Sequence, residues 1–484
     1  MIYDDIVVGA GSSGAVVAAR LSEDPTRAVL LLEAGPDYPS AESTPAHVLS
    51  VFRGDTNSLA GHDWGYTAHA TPERRISYPR GKVSGGSSAV NGVIALRGAP
   101  ADYDEWAALD NPAWAWSEVL PWFRAIEDDP QAGASHHHGV GGPVPIRRAD
   151  YTAVAPVWRA FADACNALGY PDCPDHNHPD AYGVGPWPMN QVHGTRISTA
   201  LSHLLPARAR LNLTVRGDCL VDRVLFDGTR AVGVEVVSGG ERQRVYGQRV
   251  ILAAGAIATP AILWRSGVGP AAELAQLGVA VQVDAPGVGA NLIDHPWCQL
   301  NFVATGREYD LHDPFVWCGL RYTANGSAEH HDMQIYMMVP FNAYDFLPAA
   351  EADVTPFVVH ISAALQRPTS RGRLWLSSLD PLVQPEIDLH YLSTEEDLRR
   401  MVDGLRLIWE LAHTAPLDRY IGQPLPHDGT PPSAELLASD EAAADYARRI
   451  VTTIFHPVGT ARMGPAGDPG AVVDQFGHVY GVEG

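Results

Sequence analysis

Short apolar runs on either side of a small-residue stretch open the chain. Ile6-Val7-Val8 is one run, residues 28–32 form a second, and residues 15–21 between them are small and apolar. Short runs rich in β-branched side chains predict buried strands, and the stretch between them fits a helix. The pattern therefore predicts a strand–helix–strand unit at the N-terminus.

Similar runs predict further strands in the middle of the chain. From Leu213 to Val237, runs such as residues 220–226 and 231–236 flank Asp227-Gly228, which predicts a β-meander. Residues 250–256 predict a buried strand that meets a glycine turn, and residues 260–264 a helix.

Three longer segments have distinct patterns. Residues 300–390 are rich in aromatic side chains with alternating stretches and predict a separate sheet, whereas residues 102–126 predict an amphipathic helical stretch. Residues 394–413 predict a helix with Thr394 as its N-cap. Residues 36–80 are rich in proline, glycine and polar residues, and they predict an extended segment that leaves the sheet after the second strand.

Composition limits the possible functions. The 484 residues carry a net charge of −22 with a single lysine, Lys82. No basic stripe exists to bind nucleic acid. The five cysteines are scattered and odd in number, which suits a reducing compartment. No signal peptide or apolar run of membrane-spanning length is visible, so we expect a cytoplasmic protein without a membrane span.

Glycines directly after the first predicted strand indicate a dinucleotide site. In residues 9–14, Gly9 fits the tight turn, Gly11 would let a pyrophosphate approach the backbone, and Gly14 would let the helix pack on the strand. The helix N-terminus would face the phosphates. Glu33, about 20 residues on, ends the second strand and would accept hydrogen bonds from a ribose hydroxyl.

Five segments together resemble one family, the glucose–methanol–choline oxidoreductases. They occur in the expected order and cover residues 9–14 with Glu33-Ala34-Gly35, residues 80–92, residues 253–270, residues 287–296 and the terminal motif His456-Pro457-Val458-Gly459-Thr460. The resemblance implies an α/β (α+β) fold, in which a Rossmann-like FAD-binding domain adjoins a substrate domain with an antiparallel sheet backed by helices. It implies an FAD-binding domain over residues 1–150, 200–295 and 446–484, and a substrate-binding domain over residues 151–199 and 296–445.

The resemblance also implies which residues hold FAD. Val90 occupies the position at which some members attach FAD through a histidine, so we expect non-covalent FAD. The expected cofactor-binding residues are Gly9, Gly11, Ser12, Ser13, Gly14, Glu33, Ala34, Arg80, Val83, Gly85, Gly86, Ser87, Asn91, Gly92, Val93, Val221, Ala254 and Gly255.

The implied reaction is the oxidation of a primary or secondary alcohol to an aldehyde or ketone. His456 would accept the hydroxyl proton, because histidine has an ordinary pKa of about 6.5, while a hydride leaves for flavin N5. Oxygen or another redox partner would reoxidise the flavin. Trp64, Trp317 and Phe455 could line the substrate cavity or equally belong to the core. Two alternatives remain open, a non-redox lyase that splits cyanohydrin-like substrates and a flavin-free scaffold.

The partner of His456 is not visible in the sequence. The resemblance implies a tail past Gly484 with a strand, an acidic residue near FAD and a second catalytic histidine or asparagine. We expect this residue to lie beyond Gly484, although another segment could supply it or the protein could work without it.

Histidine clusters raise the question of a metal. His136-His137-His138 and the stretch from Asp175 to His178 are expected to be loops, because adjacent side chains rarely converge on one ion. Asp294 and His295 are expected to form a structural hydrogen-bond pair. We therefore predict no metal.

Overall fold

Two large sheets organise the molecule. The computed structural model describes residues 2–51, 59–133, 135–150, 154–305, 316–342, 357–427 and 429–484. One sheet is mixed and has six strands, and the other is antiparallel and has seven. The predicted α/β class, with a Rossmann-like unit and a separate antiparallel sheet, is confirmed.

The mixed sheet forms from the segments predicted at the N-terminus and in the middle of the chain. Its strands, in spatial order, are Leu213–Arg216, Val29–Leu32, Ile2–Val8, Glu241–Leu252, Arg230–Ser238 and Leu220–Asp227. The first four are parallel and the last two are antiparallel additions. Helix Gly14–Leu21 joins the first two strands of the chain, so the predicted strand–helix–strand unit is confirmed.

The β-meander is confirmed over residues 220–237, and the structure extends it with the strand Glu241–Leu252. Strand Leu213–Arg216 differs from that prediction, because it pairs in parallel with Val29–Leu32 at the opposite edge of the sheet. The apolar pattern reveals a strand but not its distant partner.

The antiparallel sheet is built almost entirely from the second half of the chain. Its strands, in spatial order, are Ile421–Leu425, Pro296–Ala304, Phe357–Leu365, Met333–Asn342, Cys318–Tyr322 and Gly183–Pro186, with Thr452–Thr453 also paired to Pro296–Ala304. Helices Pro156–Ala167, Glu395–Ala412 and Asp440–Ile450 pack on one face of this sheet. The helix predicted over residues 394–413 is confirmed, because Thr394 accepts a hydrogen bond from the Asp397 amide at its N-terminus.

The segment over residues 36–80, which was expected to be extended and to leave the sheet, contains regular structure. Strands Thr67–Thr71 and Arg74–Ser77 join Glu386–Asp388 and Arg373–Trp375 in a four-stranded sheet. Contact with a segment more than 300 residues away orders this polar stretch, so the local pattern could not predict it. The other short strand pairs are Val268–Gly269 with Val283–Asp284, Glu127–Asp128 with Val144–Pro145, and Gln191–Val192 with Thr195–Arg196.

The helical stretch over residues 102–126 is two helices rather than one. Pro100–Ala108 and Trp116–Ile126 are separated by a 3₁₀ turn at Pro112–Trp114, where proline cannot continue the preceding helix. Trp106 is 42% and Trp122 is 73% exposed, so much of the apolar face meets solvent.

The remaining helices are short, apart from one that begins at a glycine turn. They are Ala46–Leu49, the 3₁₀ turn Gly86–Ala89, the π-turn Ala200–Leu204, Leu205–Ala207, Gly255–Arg265, Ala271–Gln276, the 3₁₀ turn Leu417–Arg419 and Ala434–Ala438. No helix in the described ranges is long and apolar enough to cross a lipid bilayer. All five cysteines are buried as free thiols.

Candidate active site

The glycine turn lies at the carboxyl end of the parallel strands. The Gly9 amide donates to the Leu32 carbonyl at 2.7 Å, and Gly9 has φ of +96°. A Cβ on Gly9 would lie 2.6 Å from the Ala253 carbonyl oxygen, and one on Gly14 would lie 1.9 Å from that of Gly9. These positions therefore need glycine. The nearest atom to a Cβ on Gly11 would be 3.8 Å away, which leaves room beside the turn.

A second glycine segment packs backbone to backbone against this turn. The Gly85 amide donates to the Ala10 carbonyl at 2.8 Å, and a Cβ on Gly86 would lie 2.7 Å from the Gly11 Cα. Ser12 and Ser13, at the start of the first helix, are exposed beside this junction. The structure thus brings together two segments that are about 70 residues apart and were both expected to hold the cofactor.

Glu33 is buried beside the glycine turn. Its carboxylate accepts hydrogen bonds from the Ala10 amide at 2.8 Å and the Gly35 amide at 2.9 Å, and burial raises its pKa to about 7. Each carboxylate oxygen keeps a further lone pair, which could accept from a ligand hydroxyl. The Cys219 amide donates to the Glu33 carbonyl, which places the strand of Val221 next to this end of the turn.

These features fit a dinucleotide. Exposed serines and free amides at a helix N-terminus suit a phosphate, and the room beside Gly11 would let it approach the backbone. Glu33 stands where a ribose hydroxyl would be expected.

The other expected cofactor residues differ in accessibility. Val83 is fully buried in a small core with Val48 and Ala89, so only its backbone could face a ligand. Val93 and Val221 are also buried, whereas Asn91 and Gly255 are exposed. The half-buried members are Ala34, Arg80, Ser87, Gly92 and Ala254.

One buried carboxylate, Asp294, fixes the loop that carries His456. Its Oδ1 accepts from the amides of His295 and His456 at 2.7 and 2.8 Å. Its Oδ2 accepts three hydroxyls, those of Tyr78, Tyr391 and Thr453 at 2.7, 2.8 and 2.6 Å. Burial raises the pKa of both tyrosines well above the usual value, so they remain donors.

The His456 side chain is accessible and lies beside the His295 ring. The residue is exposed, yet the surrounding protein desolvates it and lowers its pKa to about 4. The His295 ring lies 5.3 Å from it, centre to centre, and the His295 Nδ1 lies 3.1 Å from the Leu365 carbonyl. His456 is therefore a neutral imidazole at neutral pH.

Arg80 and two aromatic residues lie on the same side of this loop. The Arg80 Nη1 donates to the Phe455 carbonyl at 2.6 Å, while its Nε and Nη2 are buried without a hydrogen-bond partner. The Trp64 amide donates to the Arg80 carbonyl at 3.0 Å. Trp64 and Trp317 both pack against the main core. Of the three aromatic residues, Phe455 therefore lies next to His456, as its neighbour in the chain.

The terminal motif also contacts the other segments. The Thr460 hydroxyl donates to the Ala256 carbonyl at 2.6 Å, and the Gly289 amide donates to the Thr460 carbonyl at 2.8 Å. Gly9 lies against Ala253, so all five segments meet.

His138 belongs to a buried ion-pair network, although its triplet lies in a loop as expected. Its Nδ1 lies 3.1 Å from Glu127 and 3.3 Å from Asp129, and its Nε2 lies 2.8 Å from Asp175. The side chains of Arg97 and Arg148 bind the same carboxylates. Glu127, Asp129 and His138 are close enough to share a metal. Because the guanidinium groups of Arg97 and Arg148 already pair with these carboxylates, the arrangement favours an ion-pair network over a metal site.

Sequence reasoning missed several residues that shape the site. Asp294 and His295 were expected to pair, and the structure joins them through the His295 amide rather than the ring. Tyr78, Tyr391 and Thr453 were not identified, because nothing in the sequence marks a hydroxyl whose partner is 97 to 216 residues away.

Known proteins share this arrangement over nearly the whole chain. The GMC oxidoreductase family matches residues 3–297 with its N-terminal part and residues 368–484 with its C-terminal part. An oxygen-dependent choline dehydrogenase of Photobacterium profundum is 35% identical over 99% of this chain and 87% of its own length. An uncharacterised GMC-type oxidoreductase of Rhodococcus erythropolis is also 35% identical, over 99% of this chain and 91% of its own length.

A solved structure agrees. Pyridoxine 4-oxidase from Mesorbium loti has a TM-score of 0.88 and 31% sequence identity, over 99% of this chain and 92% of its own. The family, its relatives and the fit of the glycine turn identify the expected cofactor as FAD. The chain is therefore a member of the GMC oxidoreductase family, an FAD-dependent oxidoreductase.

Proposed function

We propose that this protein oxidises a primary or secondary alcohol to an aldehyde or ketone, with His456 as the general base. One observation carries the proposal, the combination of a fixed backbone and an accessible, neutral imidazole at His456. FAD, when bound, supplies the acceptor for the hydride that leaves the alcohol carbon. The names of the choline dehydrogenase and pyridoxine oxidase relatives support an alcohol as the substrate.

The residues around His456 have separate tasks in this proposal. His456 takes the hydroxyl proton, and Asp294 holds the His456 amide so that the ring keeps its place. Arg80 places a positive charge and two unpaired N–H groups close to the loop of His456. This charge would stabilise negative charge that develops on the substrate oxygen. Phe455 and Trp64 would line the substrate space.

The cofactor would be held without a covalent bond. Residues 9–14, Glu33, residues 85–92 and the turn at Ala254-Gly255 would contact it, while Val90 offers no nucleophile. Oxygen or another redox partner would accept the electrons. In this proposal, residues 1–150, 200–295 and 446–484 form the FAD-binding domain, and residues 151–199 and 296–445 form the substrate-binding domain.

The first experiment records the visible spectrum of the purified protein before and after acid precipitation, then adds alcohols without oxygen. We expect flavin in the supernatant, and bleaching by at least one alcohol. His456→Ala should slow bleaching by about 10²–10⁴-fold, because a general base is removed. His478→Ala is the control, since that side chain is 78% exposed.

The pH dependence of bleaching tests the same residue. Because burial lowers the pKa of His456 to about 4, the rate should stay constant from neutral pH downwards and fall only as the pH approaches 4. Bleaching that His456→Ala does not slow would contradict the proposal. Aldehyde release from a cyanohydrin without bleaching would favour the lyase alternative.

A further inference from the structure

One arginine is buried without a carboxylate partner beside a segment that was expected to hold the cofactor. Arg196 is 5% exposed. Burial alone lowers its pKa to about 10, and no carboxylate among the described residues opposes this effect. The side chain still carries its proton at neutral pH. Arg196 is therefore a buried positive charge without a negative partner, which is costly and uncommon in folded proteins.

The guanidinium group of Arg196 joins two segments that are distant in the sequence. Its Nε donates to the Val48 carbonyl at 3.1 Å. Its Nη1 donates to both oxygens of Asn91, the backbone carbonyl and the side-chain Oδ1, the latter at 2.8 Å. All of these acceptors are uncharged. They fix the orientation of the guanidinium group and leave its charge uncompensated.

The turn that Arg196 holds has a strained backbone. Val93, two residues after Asn91, has φ of +54°, which a β-branched residue rarely adopts. The Val93 amide donates at 3.0 Å to the Asn91 Oδ1, the same oxygen that accepts from Arg196. Such strain persists where surrounding contacts determine the conformation, and it concentrates at ligand sites. We call residues 91–93 the 91–93 turn.

A short hairpin carries Arg196 to this turn. Strand Thr195–Arg196 pairs with Gln191–Val192, so the two ends of the hairpin lie side by side. Directly before the hairpin, the Asn190 backbone amide donates to the Val93 carbonyl at 2.9 Å. The hairpin is thus attached to the 91–93 turn through its backbone as well as through the guanidinium group.

The charge lies at one particular end of the expected cofactor site. Arg196 borders a small cavity together with Gly92 and Val93. The phosphates are expected at the other end of this glycine segment, where Gly86 meets Gly11. A desolvated positive charge favours negative charge in its surroundings, and a flavin gains negative charge when it is reduced.

We propose that Arg196 is a positioning residue that fixes the 91–93 turn against the flavin and whose uncompensated charge favours the reduced cofactor. The proposal rests on the placement of FAD given above and requires no particular alcohol. Loss of the charge makes the flavin harder to reduce. Loss of the hydrogen bonds loosens the turn and weakens the hold on the flavin.

The reduction potential of the bound flavin tests the charge. Each FAD-loaded protein is equilibrated with a reference dye without oxygen, so no substrate is needed. Arg196→Met should shift the equilibrium about tenfold towards oxidised flavin, which corresponds to about 30 mV for a two-electron couple. Arg196→Lys keeps the charge and should retain the potential. Arg244→Met, at a side chain that is 60% exposed, is the control and should also retain it.

Titration of the FAD-free protein with FAD and with ADP tests the position. ADP carries two phosphates but no flavin. Arg196→Met and Arg196→Lys should each weaken FAD binding about tenfold, because neither side chain has the planar fork of donors that binds Val48 and Asn91 together. Both variants should bind ADP as tightly as the wild type does, since the phosphates lie at the other end of the segment.

The outcomes separate this inference from the proposed function. An unchanged potential in Arg196→Met overturns the role of the charge, and so does ADP binding that weakens as much as FAD binding, because the charge then serves the phosphates. If Arg196→Met does not fold, Arg196→Gln, which removes the charge and keeps a donor, replaces it in both measurements. A flavin that no alcohol bleaches overturns the proposed function and leaves the dye and ADP measurements unaffected.

Discussion

At the scale of single residues, Asp294 has the largest structural effect on the site. Five hydrogen-bond donors from four parts of the chain converge on the two carboxylate oxygens of Asp294. The residue is only 4% exposed. Hydrogen bonds to a charged group contribute about 1.5–3 kcal/mol each. The position of the His456 backbone therefore depends on a buried carboxylate.

Asp294→Ala should lower the free energy of unfolding by about 3–5 kcal/mol, because it leaves buried hydroxyls and amides without an acceptor. Asp294→Asn should cost less, since its amide oxygen replaces one acceptor and its NH₂ group can donate to hydroxyls. Urea unfolding measures both. Asp180→Asn, whose side chain is 91% exposed, is the control and should be neutral. Equal effects of Asp294→Ala and the control would contradict the role of this carboxylate.

At the scale of elements, the glycine turn and the segment around Gly85 and Gly86 form one cradle. Their backbones touch, and a Cβ on Gly86 would lie 2.7 Å from the Gly11 Cα. Gly11 differs, because its own Cβ would meet no atom of the described protein closer than the Gly86 Cα at 3.8 Å.

Gly11→Ala should leave the free energy of unfolding of the FAD-free protein within about 1 kcal/mol of the wild-type value. It should weaken FAD binding at least tenfold, because the methyl group enters the space expected for the phosphates. FAD titration and urea unfolding measure the two effects. Gly9→Ala is the contrasting variant and should destabilise the fold itself, because of its positive φ and its contact with the Ala253 carbonyl. Unchanged FAD affinity of Gly11→Ala would mean that the cofactor lies elsewhere.

Elements with strong local signals were predictable from the sequence. The first strand and helix follow from apolar runs and glycines, and the helix after Thr394 from its cap. The strand Leu213–Arg216 and those within residues 36–80 depend on distant partners, so local patterns could not place them. The same holds for the site, where His456 and Glu33 stand in recognisable motifs and Tyr78 does not.

At the scale of the whole molecule, opposite charges are paired inside a strongly acidic protein. The network around His138 joins strand Glu127–Asp128 to the segments of Arg148 and Asp175. Burial alone would lower the pKa of His138, but the carboxylates of this network outweigh that effect and raise the pKa to about 9. A histidine with a raised pKa stabilises the folded state fully below about pH 6.5, and this contribution is lost as the pH rises through 9.

The thermal midpoint should therefore fall between pH 7 and pH 9.5 more steeply in the wild type than in His138→Gln. At pH 7 the variant should be less stable by about 3 kcal/mol, because three carboxylates lose a buried positive partner. Calorimetry across this pH range measures the difference. His330→Gln, at a histidine outside the network, should retain the wild-type slope. Parallel curves for the wild type and His138→Gln would show that His138 is not charged in the folded protein.

The loop of His456 is held by a residue 162 positions earlier, which has a consequence for synthesis. The strands of the mixed sheet are complete by Leu252, so this sheet can form on the ribosome while the rest of the chain is still being made. At about 5–20 residues per second, Asp294 emerges roughly 10–30 s before its partner loop. During that interval its carboxylate and the hydroxyl of Tyr78 lack the later strand that closes around them. Nascent chains released early would thus carry a formed cradle without His456, the proposed base.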